Sequence, residues 1–555
     1  MLAKLSPSFR SEPATGTRNR AANDRLLEDA GNDLLQGVLR EFKIRCRAST
    51  PTSTDMNTSL NLLSFVLLVA GHVCAQVAPA IEWQRSLGGA ANEYGNCIEL
   101  TADGGYIIAG ATQSTDQDVT GNHGDYDAWV VKLDDEGEIL WQKALGGTGN
   151  DGAYAIHPTL EGGYIMAGST WSNDGDVTGN HGIVDAWVVK LDALGNIQWQ
   201  RALGGSGFEE ASSIRQRPEG GYFMAGTASS WDGDLVGSPG VSNNAWFVKL
   251  DTLGNIQWQR VAGGSYAESA YGIDRTGDGG YIAAGFTFSS DGDILGGNHG
   301  NGDAWVVKLY DGYIEWETTL GGSAEDRAEK VQQTPDGGFI VCGSTNSEDG
   351  DVSGYHGHGD AWVVKLSNLG YISWQKTLGG DGPDNGHDIV QTSDGGYLLT
   401  GLSDIGLVNS PVGWDAWVVK LDAAGDLLWQ KPMGGSDYDA GSTVRETPDG
   451  GSIMLGHSRS SDGDVSGSLG GQDIWVVKLG SDAVGIPRPE VCPILVTVSR
   501  EYVRISSPIS LDDARMTLVD VAGRTILTSL LEGTICTLDM RDRPRGLYMV
   551  SVHHT

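Results

Sequence analysis

The residues with the clearest potential for chemistry in this 555-residue chain are pairs of aspartates separated by one glycine, such as Asp174-Gly175-Asp176. Alternating carboxylates in a glycine-rich loop supply the oxygen ligands that Ca²⁺ prefers. The same residues also form Asx turns, in which an aspartate side chain bonds its own backbone. Both interpretations stay open from the sequence. The candidate calcium ligands are Asp174, Asp176, Asp232, Asp234, Asp291, Asp293, Asp349, Asp351, Asp462 and Asp464.

Histidines recur a few residues after several of these pairs, at His123, His181, His299 and His356. Because they belong to separate copies of a repeat, we expect them to lie too far apart to share a Zn²⁺ ion and to cap their own loops. Neither a G-x-S-x-G motif nor a Ser/His/Asp or Cys/His set stands out from the repeat. We therefore assign no catalytic residue, and Ca²⁺ is the cofactor that the pattern suggests.

Residues that break the repeat are better candidates for a single binding site than residues that occur in every copy. Several aromatic residues and one histidine fall in the same loops as the aspartate pairs. Their rings could stack on sugars or could pack the loops together. The candidate ligand-binding residues are Trp171, Trp231, Tyr355, His358 and Trp414.

The elements that must position these residues are copies of a long repeat. A WQ-type core begins at seven tryptophans, from Trp83 to Trp429, at intervals of 58, 58, 59, 58, 58 and 55 residues. Such self-similarity is typical of repeat architectures. Runs rich in Val, Ile, Trp and Tyr between Gly/Asp turns predict four strands in each copy, in the first copy at 96–100, 106–112, 127–133 and 138–145. No helical periodicity accompanies them.

Seven copies of four strands predict an all-β fold, a seven-bladed β-propeller over residues 81–479. The array opens with a lone fourth strand, 81–87, and ends with a third strand, 473–479, that has no fourth strand after it. We expect the N-terminal strand to complete the last blade and close the ring, because closure removes exposed sheet edges. The longer loops then share one face, where function usually resides.

Composition narrows the possible partners. The formal net charge is −35 at pH 7, so nucleic acid is a poor partner because its phosphates would be repelled. The apolar fraction of 39% is sufficient for a packed core. Six cysteines are too few for a disulfide scaffold of this length, although Cys492 and Cys536 could pair.

The amino-terminal segment lies outside the repeat. Residues 1–55 form a non-repetitive extension that is either disordered or not translated, depending on whether synthesis starts at Met1 or Met56. Residues 56–75 are interpreted as a signal peptide, because a short apolar run precedes a plausible cleavage position after Ala75. We expect the protein to be secreted or held on the outer cell surface, with no transmembrane segment in the mature chain.

The pattern DGGY…DAWVVKLD-x-x-G-x-I-x-W-Q resembles the repeats of secreted bacterial β-propeller proteins, especially those of the Bacteroidota. After a linker at 480–491, residues 492–555 resemble the C-terminal sorting domain of type IX secretion cargo, a small β-sandwich. The chain departs from that family at Ser507-Pro508, where an NP turn is usual, and at its final HHT, where a basic residue is common. The resemblance implies the type IX secretion machinery as a partner. The matching positions are Asp520, Gly523, Arg524, Gly546, Leu547 and Tyr548.

These features favour a secreted or cell-surface, non-enzymatic propeller that binds a glycan or protein ligand and is exported by type IX secretion. The alternative is an extracellular polysaccharide lyase or hydrolase with its site at the central opening of the propeller. The two hypotheses differ in whether a bound polysaccharide is turned over.

Overall fold

The computed structural model describes residues 78–235, 242–404 and 414–481, together with the backbone of six strands between Leu495 and His554. The predicted extension at 1–55 and the predicted signal peptide at 56–75 lie outside the described residues. The repeats belong to one compact unit and residues 486–555 to another. Every described element is a β-strand, and within this part of the chain no helix is long and apolar enough to cross a membrane.

Seven antiparallel sheets of four strands form the first unit, which confirms the predicted propeller. Blades 1 to 6 each contain four consecutive strands, and the first strand of every blade contacts the first strands of both neighbouring blades, so these inner strands form a closed ring. In chain order the strands are β1 (Ile81–Leu87), β2 (Glu93–Leu100), β3 (Tyr106–Thr112), β4 (Asp127–Leu133), β5 (Ile139–Leu145), β6 (Asp151–Pro158), β7 (Tyr164–Thr170), β8 (Asp185–Leu191), β9 (Ile197–Leu203), β10 (Glu209–Gln216), β11 (Tyr222–Ala228), β12 (Asn244–Leu250), β13 (Ile256–Ala262), β14 (Glu268–Arg275), β15 (Tyr281–Thr287), β16 (Asp303–Tyr310), β17 (Tyr313–Leu320), β18 (Asp326–Gln333), β19 (Phe339–Thr345), β20 (Asp360–Leu366), β21 (Ile372–Leu378), β22 (Asn385–Gln391), β23 (Tyr397–Ser403), β24 (Asp415–Leu421), β25 (Leu427–Met433), β26 (Asp439–Glu446), β27 (Ser452–Ser458) and β28 (Asp473–Leu479).

The N-terminal strand closes the ring, as predicted. Blade 7 has the strand order β1-β28-β27-β26, and β1 pairs antiparallel with β28 from Ile81 opposite Leu479 to Leu87 opposite Ile474. The two strands come from opposite ends of the repeat array, so their ladder joins the ends of the ring through backbone hydrogen bonds. The edge of β28 is thereby paired, and β1 takes the outer position that the fourth strand has in the other blades.

The tryptophan and glutamine that recur in the repeat form a hydrogen bond between the third and fourth strands of a blade. Trp129 on the third strand of blade 1 is fully buried, and its indole nitrogen donates to Gln142 Oε1 on the fourth strand at 2.8 Å. A buried indole N–H needs an acceptor, which explains why a glutamine accompanies the tryptophan in most copies. The contact recurs in Trp187–Gln200, Trp246–Gln259, Trp362–Gln375 and Trp475–Gln84, and Glu317 replaces glutamine opposite Trp305.

The turn residues of the repeat are also architectural. Gly137 has a φ of 82°, and a Cβ atom there would lie 2.7 Å from the Trp83 ring of the neighbouring blade, so the turn requires glycine for both backbone and space. Lys132 is buried, and its ammonium group donates to Leu133 O at 2.8 Å and to Asp103 at 3.1 Å. In five of the seven blades the acidic residue of this turn thus neutralises the buried lysine of the third strand, at 2.8–3.1 Å.

The inner strand of blade 1 begins earlier than the sequence predicts. It covers Glu93–Leu100, whereas the apolar pattern indicates 96–100. Glu93 is fully buried, and its carboxylate accepts hydrogen bonds from Gly89 N at 2.9 Å and from Thr112 Oγ1 at 2.8 Å. These donors come from the connector loop and from the end of β3, so hydrophobic periodicity alone does not reveal that an acidic residue starts a buried strand.

The second unit contains two antiparallel sheets of three strands, with the orders β29-β30-β33 and β32-β31-β34. Their strands agree with the small all-β tail predicted for residues 492–555. They are β29 (Leu495–Val498), β30 (Tyr502–Ser506), β31 (Ala514–Asp520), β32 (Thr525–Leu530), β33 (Ile535–Asp539) and β34 (Tyr548–His554).

Deleting residues 81–87 should disrupt the ring, because β28 becomes an exposed edge and the Trp475 indole loses its acceptor. One buried donor without a partner costs about 1–3 kcal/mol, and the loss of a whole strand costs more. We expect calorimetry to show aggregation or loss of the cooperative melting transition. The control Gln142→Ala breaks the same kind of contact within blade 1 and should cost about 1–3 kcal/mol while melting stays cooperative. A deletion variant that melts like the full chain would contradict closure through β1.

Candidate functional site

The face of the ring that carries the loops from second to third strands and the connectors between blades is called the upper face here. Hydrogen bonds join these two kinds of loop within each blade. In blade 2 the connector residue Thr148 donates its N–H to Asp174 Oδ1 at 2.8 Å. The pKa of Asp174 is lowered chiefly by this backbone N–H, with a further contribution from the Thr148 hydroxyl. Equivalent bonds of 2.7–2.8 Å reach Asp232, Asp291, Asp349 and Asp462 from Ser206, Ser265, Ser323 and Ser436.

The second aspartate of each pair bonds the same connector. Asp176 N donates to Gly146 O at 2.8 Å, and Gly146 N donates to Asp176 Oδ2 at 3.3 Å. The structure therefore gives these aspartates a role in holding the upper-face loops together. Cation binding by these aspartates remains a prediction. The same two contacts occur at Asp234, Asp293 and Asp351, and Asp464 N donates to Gly434 O.

The loop histidines cap the start of the third strand in their own blades. His123 places its Nδ1 atom 2.7 Å from Asp127 Oδ2, and its backbone N–H donates to the same oxygen at 2.9 Å. His181, His299 and His356 make the corresponding contacts with Asp185, Asp303 and Asp360. Each histidine is thus engaged locally.

The five predicted ligand-binding residues lie on blades 2, 3, 5 and 6, and within the described residues no two of them are in ring contact. Trp171 and Trp231 are exposed, at 50% and 72% of their surface. Tyr355 instead packs its own loop, because its hydroxyl accepts the Gly359 N–H at 3.0 Å. His358 is held in the same loop with a φ of 58°. Trp414, 41% exposed, is the member that joins a larger cluster.

That cluster is a row of five rings across blades 6, 7 and 1, which we call the aromatic row. Trp414 packs edge-on against Tyr438, which stacks on His457, which in turn contacts Tyr94, and the row ends at Tyr126. Neighbouring ring centroids are 5.6–5.9 Å apart. All five residues lie at strand ends near the upper face. The aromatic row is therefore a continuous π-surface at the upper end of three adjacent blades.

Charge is nearly absent from the interior of the aromatic row. Burial, together with the nearby His387 and Arg459, lowers the pKa of His457 to about 4, so this imidazole is neutral at physiological pH. Its Nδ1 atom is buried without a hydrogen-bond partner. The Arg459 guanidinium lies over the Tyr438 ring at 5.8 Å and supplies a cation at the border of the row.

Sequence reasoning found Trp414 but missed Tyr94, Tyr126, Tyr438 and His457. A signal exists in the repeat alignment, because the residues at the Tyr94 position in the other inner strands share no chemical type. They are Gly152, Glu210, Ser269, Arg327, Asn385 and Ala440. A position that varies within an otherwise regular repeat is free of the architectural constraints on its neighbours.

The inner strands of all seven blades line the central channel, which holds cavities of about 180 Å³ and about 400 Å³. The larger cavity is bordered by a network of charged side chains. Arg445 contacts Glu99 at 2.8 Å and Asp388 at 2.5 Å, and Lys330 lies 3.7 Å from Asp388. The residue types at these positions differ from blade to blade, as they do in the aromatic row. This network is therefore not part of the repeated architecture.

The arginine determines the electrostatics of this network. Burial acts to raise the pKa of Glu99, but the positive charge of Arg445 outweighs it and holds that pKa well below its usual value. The pKa of Asp388 is lowered in the same way against burial, by Arg445 and Lys330. Burial and the adjacent Arg215 lower the pKa of His157 to about 4. The network therefore contains ionised carboxylates and a neutral imidazole at pH 7.

Three residues of the channel wall, Cys97, Glu99 and His157, place possible metal-ligand atoms within 4.8 Å of one another. Their existing contacts compete with a metal. Glu99 Oε1 is bound by Arg445, and His157 Nε2 is bound by Arg215. Burial and the Glu99 charge raise the pKa of the Cys97 thiol, which disfavours the thiolate that metals bind. The arrangement fits a structural ion network better than a metal centre.

The smaller cavity contains a second unusual carboxyl group. Glu329 lines it together with Tyr154, Tyr271 and His387. Burial raises the pKa of Glu329, whereas His387 and Arg327 act to lower it. A carboxyl group with a raised pKa in a cavity is a candidate proton donor.

Comparisons with known proteins do not define a family for this chain. No protein-family model matches the chain. The regulatory protein FlaEY of Caulobacter vibrioides is 29% identical over 165 residues, which cover 27% of this chain and 17% of that protein. The solved structure of Sqt1 from Chaetomium thermophilum covers 72% of this chain and 100% of its own at 10% identity and a TM-score of 0.38. Puromycin hydrolase covers 78% of this chain and 62% of its own at 12% identity and a TM-score of 0.40.

Replacing Arg445 with methionine should leave Glu99 and Asp388 without their buried counter-charge, at a cost of about 3–5 kcal/mol at pH 7. Both carboxyl groups have lowered pKa values, so their contribution to stability is present above about pH 4 and is lost as the pH falls. The difference between wild type and variant should therefore shrink in acid. Urea unfolding at several pH values measures it. The control Arg85→Met breaks the more exposed Arg85–Glu138 pair and should cost at most about 1 kcal/mol. An equal, pH-independent loss in both variants would contradict this account.

Proposed function

We propose that this protein is a secreted or cell-surface, non-enzymatic propeller that binds a glycan on the aromatic row. The observation that carries the proposal is the row itself: five non-repeating rings in continuous contact at the upper ends of blades 6, 7 and 1. Aromatic rings with polar tips present flat apolar area together with hydrogen-bonding groups, which suits the apolar faces and hydroxyls of a sugar. Trp414, 41% exposed, offers the most accessible ring.

The surroundings of the row support ligand binding rather than simple packing. In the repeat, fully buried tryptophans such as Trp129 fill the blade interior, and the row is not needed for that purpose. Rigid rings that are already in contact lose little conformational freedom when a ligand binds. Arg459 and the buried, unpartnered His457 Nδ1 provide polar groups beside the rings. A protein ligand is the other outcome that the binding test can return.

Trp414→Ala and Tyr438→Ala should each weaken glycan binding at least tenfold, because each removes one stacking surface of the row. The measurement is a glycan array followed by titration of the best glycan against the full chain. Trp231→Ala is the matched control, since Trp231 is 72% exposed and lies outside the row. Loss of binding in the control but not in the row variants would overturn the proposed site. Binding of proteins but no glycan would overturn the ligand class.

The alternative function is a polysaccharide lyase or hydrolase acting at the central opening. Glu329 favours it, because a buried carboxyl with a raised pKa beside Tyr271 and His387 is suited to proton transfer. The cavity at Glu329, about 180 Å³, is smaller than the usual ligand pocket of ~300–1,000 Å³. Product formation in the binding assays would favour the enzyme, and binding without product favours the propeller as a binding protein.

Export by type IX secretion is part of the proposal, and residues 492–555 carry it through their resemblance to a sorting domain. In a host with this secretion system, removing residues 482–555 should leave the propeller in the periplasm, and fractionation with immunoblotting measures its location. Fusing the same residues to an unrelated periplasmic protein is the positive control and should deliver it to the surface. Surface delivery of the truncated propeller would contradict this route.

A further inference from the structure

Every junction between two blades buries a pair of acidic or amide side chains. One is the first residue of the third strand, and the other begins or immediately precedes the inner strand of the next blade. These strands contact one another around the whole ring. The pairs are Asp127/Asp151, Asp185/Glu209, Asn244/Glu268, Asp303/Asp326, Asp360/Asp384, Asp415/Asp439 and Asp473/Glu93.

The two side chains of a pair converge on a glycine of the connector. A Cβ atom at Gly146 would lie 2.8 Å from Asp127 Oδ1 and 2.6 Å from Asp151 Oδ2, so the two carboxylate oxygens lie close together beside this glycine and leave no room for a side chain. Gly146 N also donates to Asp176 Oδ2, which brings a third carboxylate to the same glycine. Gly88, Gly204, Gly263, Gly321 and Gly434 occupy the same position in five other junctions, with oxygens of both partners 2.1–3.0 Å from the added carbon.

At each junction the third-strand oxygen beside the connector has no hydrogen-bond donor. Asp127 is fully buried; its Oδ2 atom is bound by His123, whereas its Oδ1 atom has no hydrogen-bond partner. The other member of the pair is already satisfied, because Asp151 Oδ2 accepts hydrogen bonds from Gly147 N and Ser172 Oγ, each at 2.7 Å. All seven third-strand residues have this unpartnered, buried Oδ1 atom: Asp127, Asp185, Asn244, Asp303, Asp360, Asp415 and Asp473.

Among the described side chains, loop histidines are the basic groups that contact these pairs, at four of the seven junctions. Within the described ranges, no lysine or arginine nitrogen lies within 4 Å of either member of any pair. Burial and the opposing carboxylate raise the pKa of Asp127, Asp185, Asp303 and Asp473, and the pKa of Asp415 reaches about 6. Two like charges in a desolvated space are strongly unfavourable without a compensating positive charge. The charge can come from a protonated loop histidine at four junctions, from a bound cation or from a shared proton.

One junction contains an asparagine in place of the first aspartate. Asn244 donates its amide nitrogen to Ser242 O at 2.8 Å, which directs Oδ1 toward Glu268. A protonated Glu268 could donate to this amide oxygen, and a cation could bind the same two oxygens, so the cation and the proton are distinguished by experiment. A cation requires only oxygen ligands, and both Asp and Asn supply one. A cation therefore accounts for all seven junctions with one arrangement.

We propose that the blade junctions bind Ca²⁺ between the third-strand Asp or Asn and the acidic residue of the next inner strand, with water completing the coordination. The ions lie beneath the aspartate pairs that the sequence suggested as ligands, and they use a different set of carboxylates. Because each site uses side chains from two neighbouring blades, each bound ion stabilises the contact between those blades. An all-oxygen site with flexible geometry favours Ca²⁺ over Mg²⁺, which demands regular octahedral coordination.

The test compares thermal melting of the full chain in EGTA, in about 10 mM Ca²⁺ and in about 10 mM Mg²⁺, with calorimetric titration of Ca²⁺. Calcium should raise the melting temperature of the wild type by about 5 °C or more, and magnesium should raise it less. In EGTA the pKa of Asp415, raised to about 6, should make its contribution to stability fall as the pH rises from about 4 to about 6, and calcium should remove that fall.

A triple variant locates the ions. Asp127→Asn, Asp185→Asn and Asp303→Asn keep the side-chain size and remove one negative charge from each of three junctions. The amide oxygen can accept the backbone N–H of the loop histidine, and the amide NH₂ then replaces the oxygen that faces the neighbouring carboxylate. The variant should melt at or above the wild-type temperature in EGTA, because repulsion is relieved, and below it in calcium. The matched control is Asp174→Asn, Asp232→Asn and Asp291→Asn, which removes three charges from the exposed aspartates of the upper-face loops and should respond to calcium like the wild type.

Several outcomes would overturn the proposal. A wild type whose melting is unaffected by both EGTA and calcium, with stability still falling as the pH rises, would assign a shared proton to the junctions. Loss of the calcium response in the control variant alone would move the ions to the upper-face loops. The wild-type measurements decide the question even if the triple variant fails to fold.

Discussion

The pairing of β1 with β28 is the contact on which the rest of the ring depends. All other blades are continuous in the chain, but blade 7 is assembled from both ends of the array. Each third strand is buried on both faces because sheets cover it on either side, so the interior of every blade relies on its neighbours. Opening one junction would expose the inner strands of two blades and the channel between them. The stability of every blade therefore depends on closure of the ring.

The fold could be predicted almost completely from the sequence because the repeated residues form the contacts that hold each blade together. Trp129 and Gln142 satisfy one another, and Lys132 and Asp103 do the same at the opposite end of the blade. These residues recur because a buried polar group needs a partner, which it has in most copies, although Trp417 Nε1 is buried without one. The start of β2 at Glu93 was missed for a related reason, since its buried carboxylate is satisfied by loops and its acidic character conceals the strand.

The candidate site could be predicted only in part, since binding residues in a repeat protein are found where the pattern varies. Trp414 was recognised as irregular, but Tyr94 and Tyr438 belong to strand ends that resemble ordinary repeat positions until all copies are aligned. The three-dimensional ring then brings residues more than 300 positions apart into contact, as with Tyr94 and His457. Neither periodicity nor local motifs contain that information. The ion network of Arg445, Glu99 and Asp388 arises in the same way, from three different blades.

The net charge of −35 connects these observations. Where the acidic residues are exposed, as at Asp174, water and backbone N–H groups stabilise them. Where they are buried beside lysine or arginine, as at Asp388, a specific cationic side chain compensates them. The junction pairs are the most regular acidic feature of the ring; they accept backbone N–H groups, but no described lysine or arginine contacts them and the third-strand Oδ1 atoms have no partner. A recurrent buried charge without a counter-charge from the protein implies that the counter-charge comes from solution. The seven junctions are thus the place where the ionic environment outside the protein would act directly on the stability of the fold.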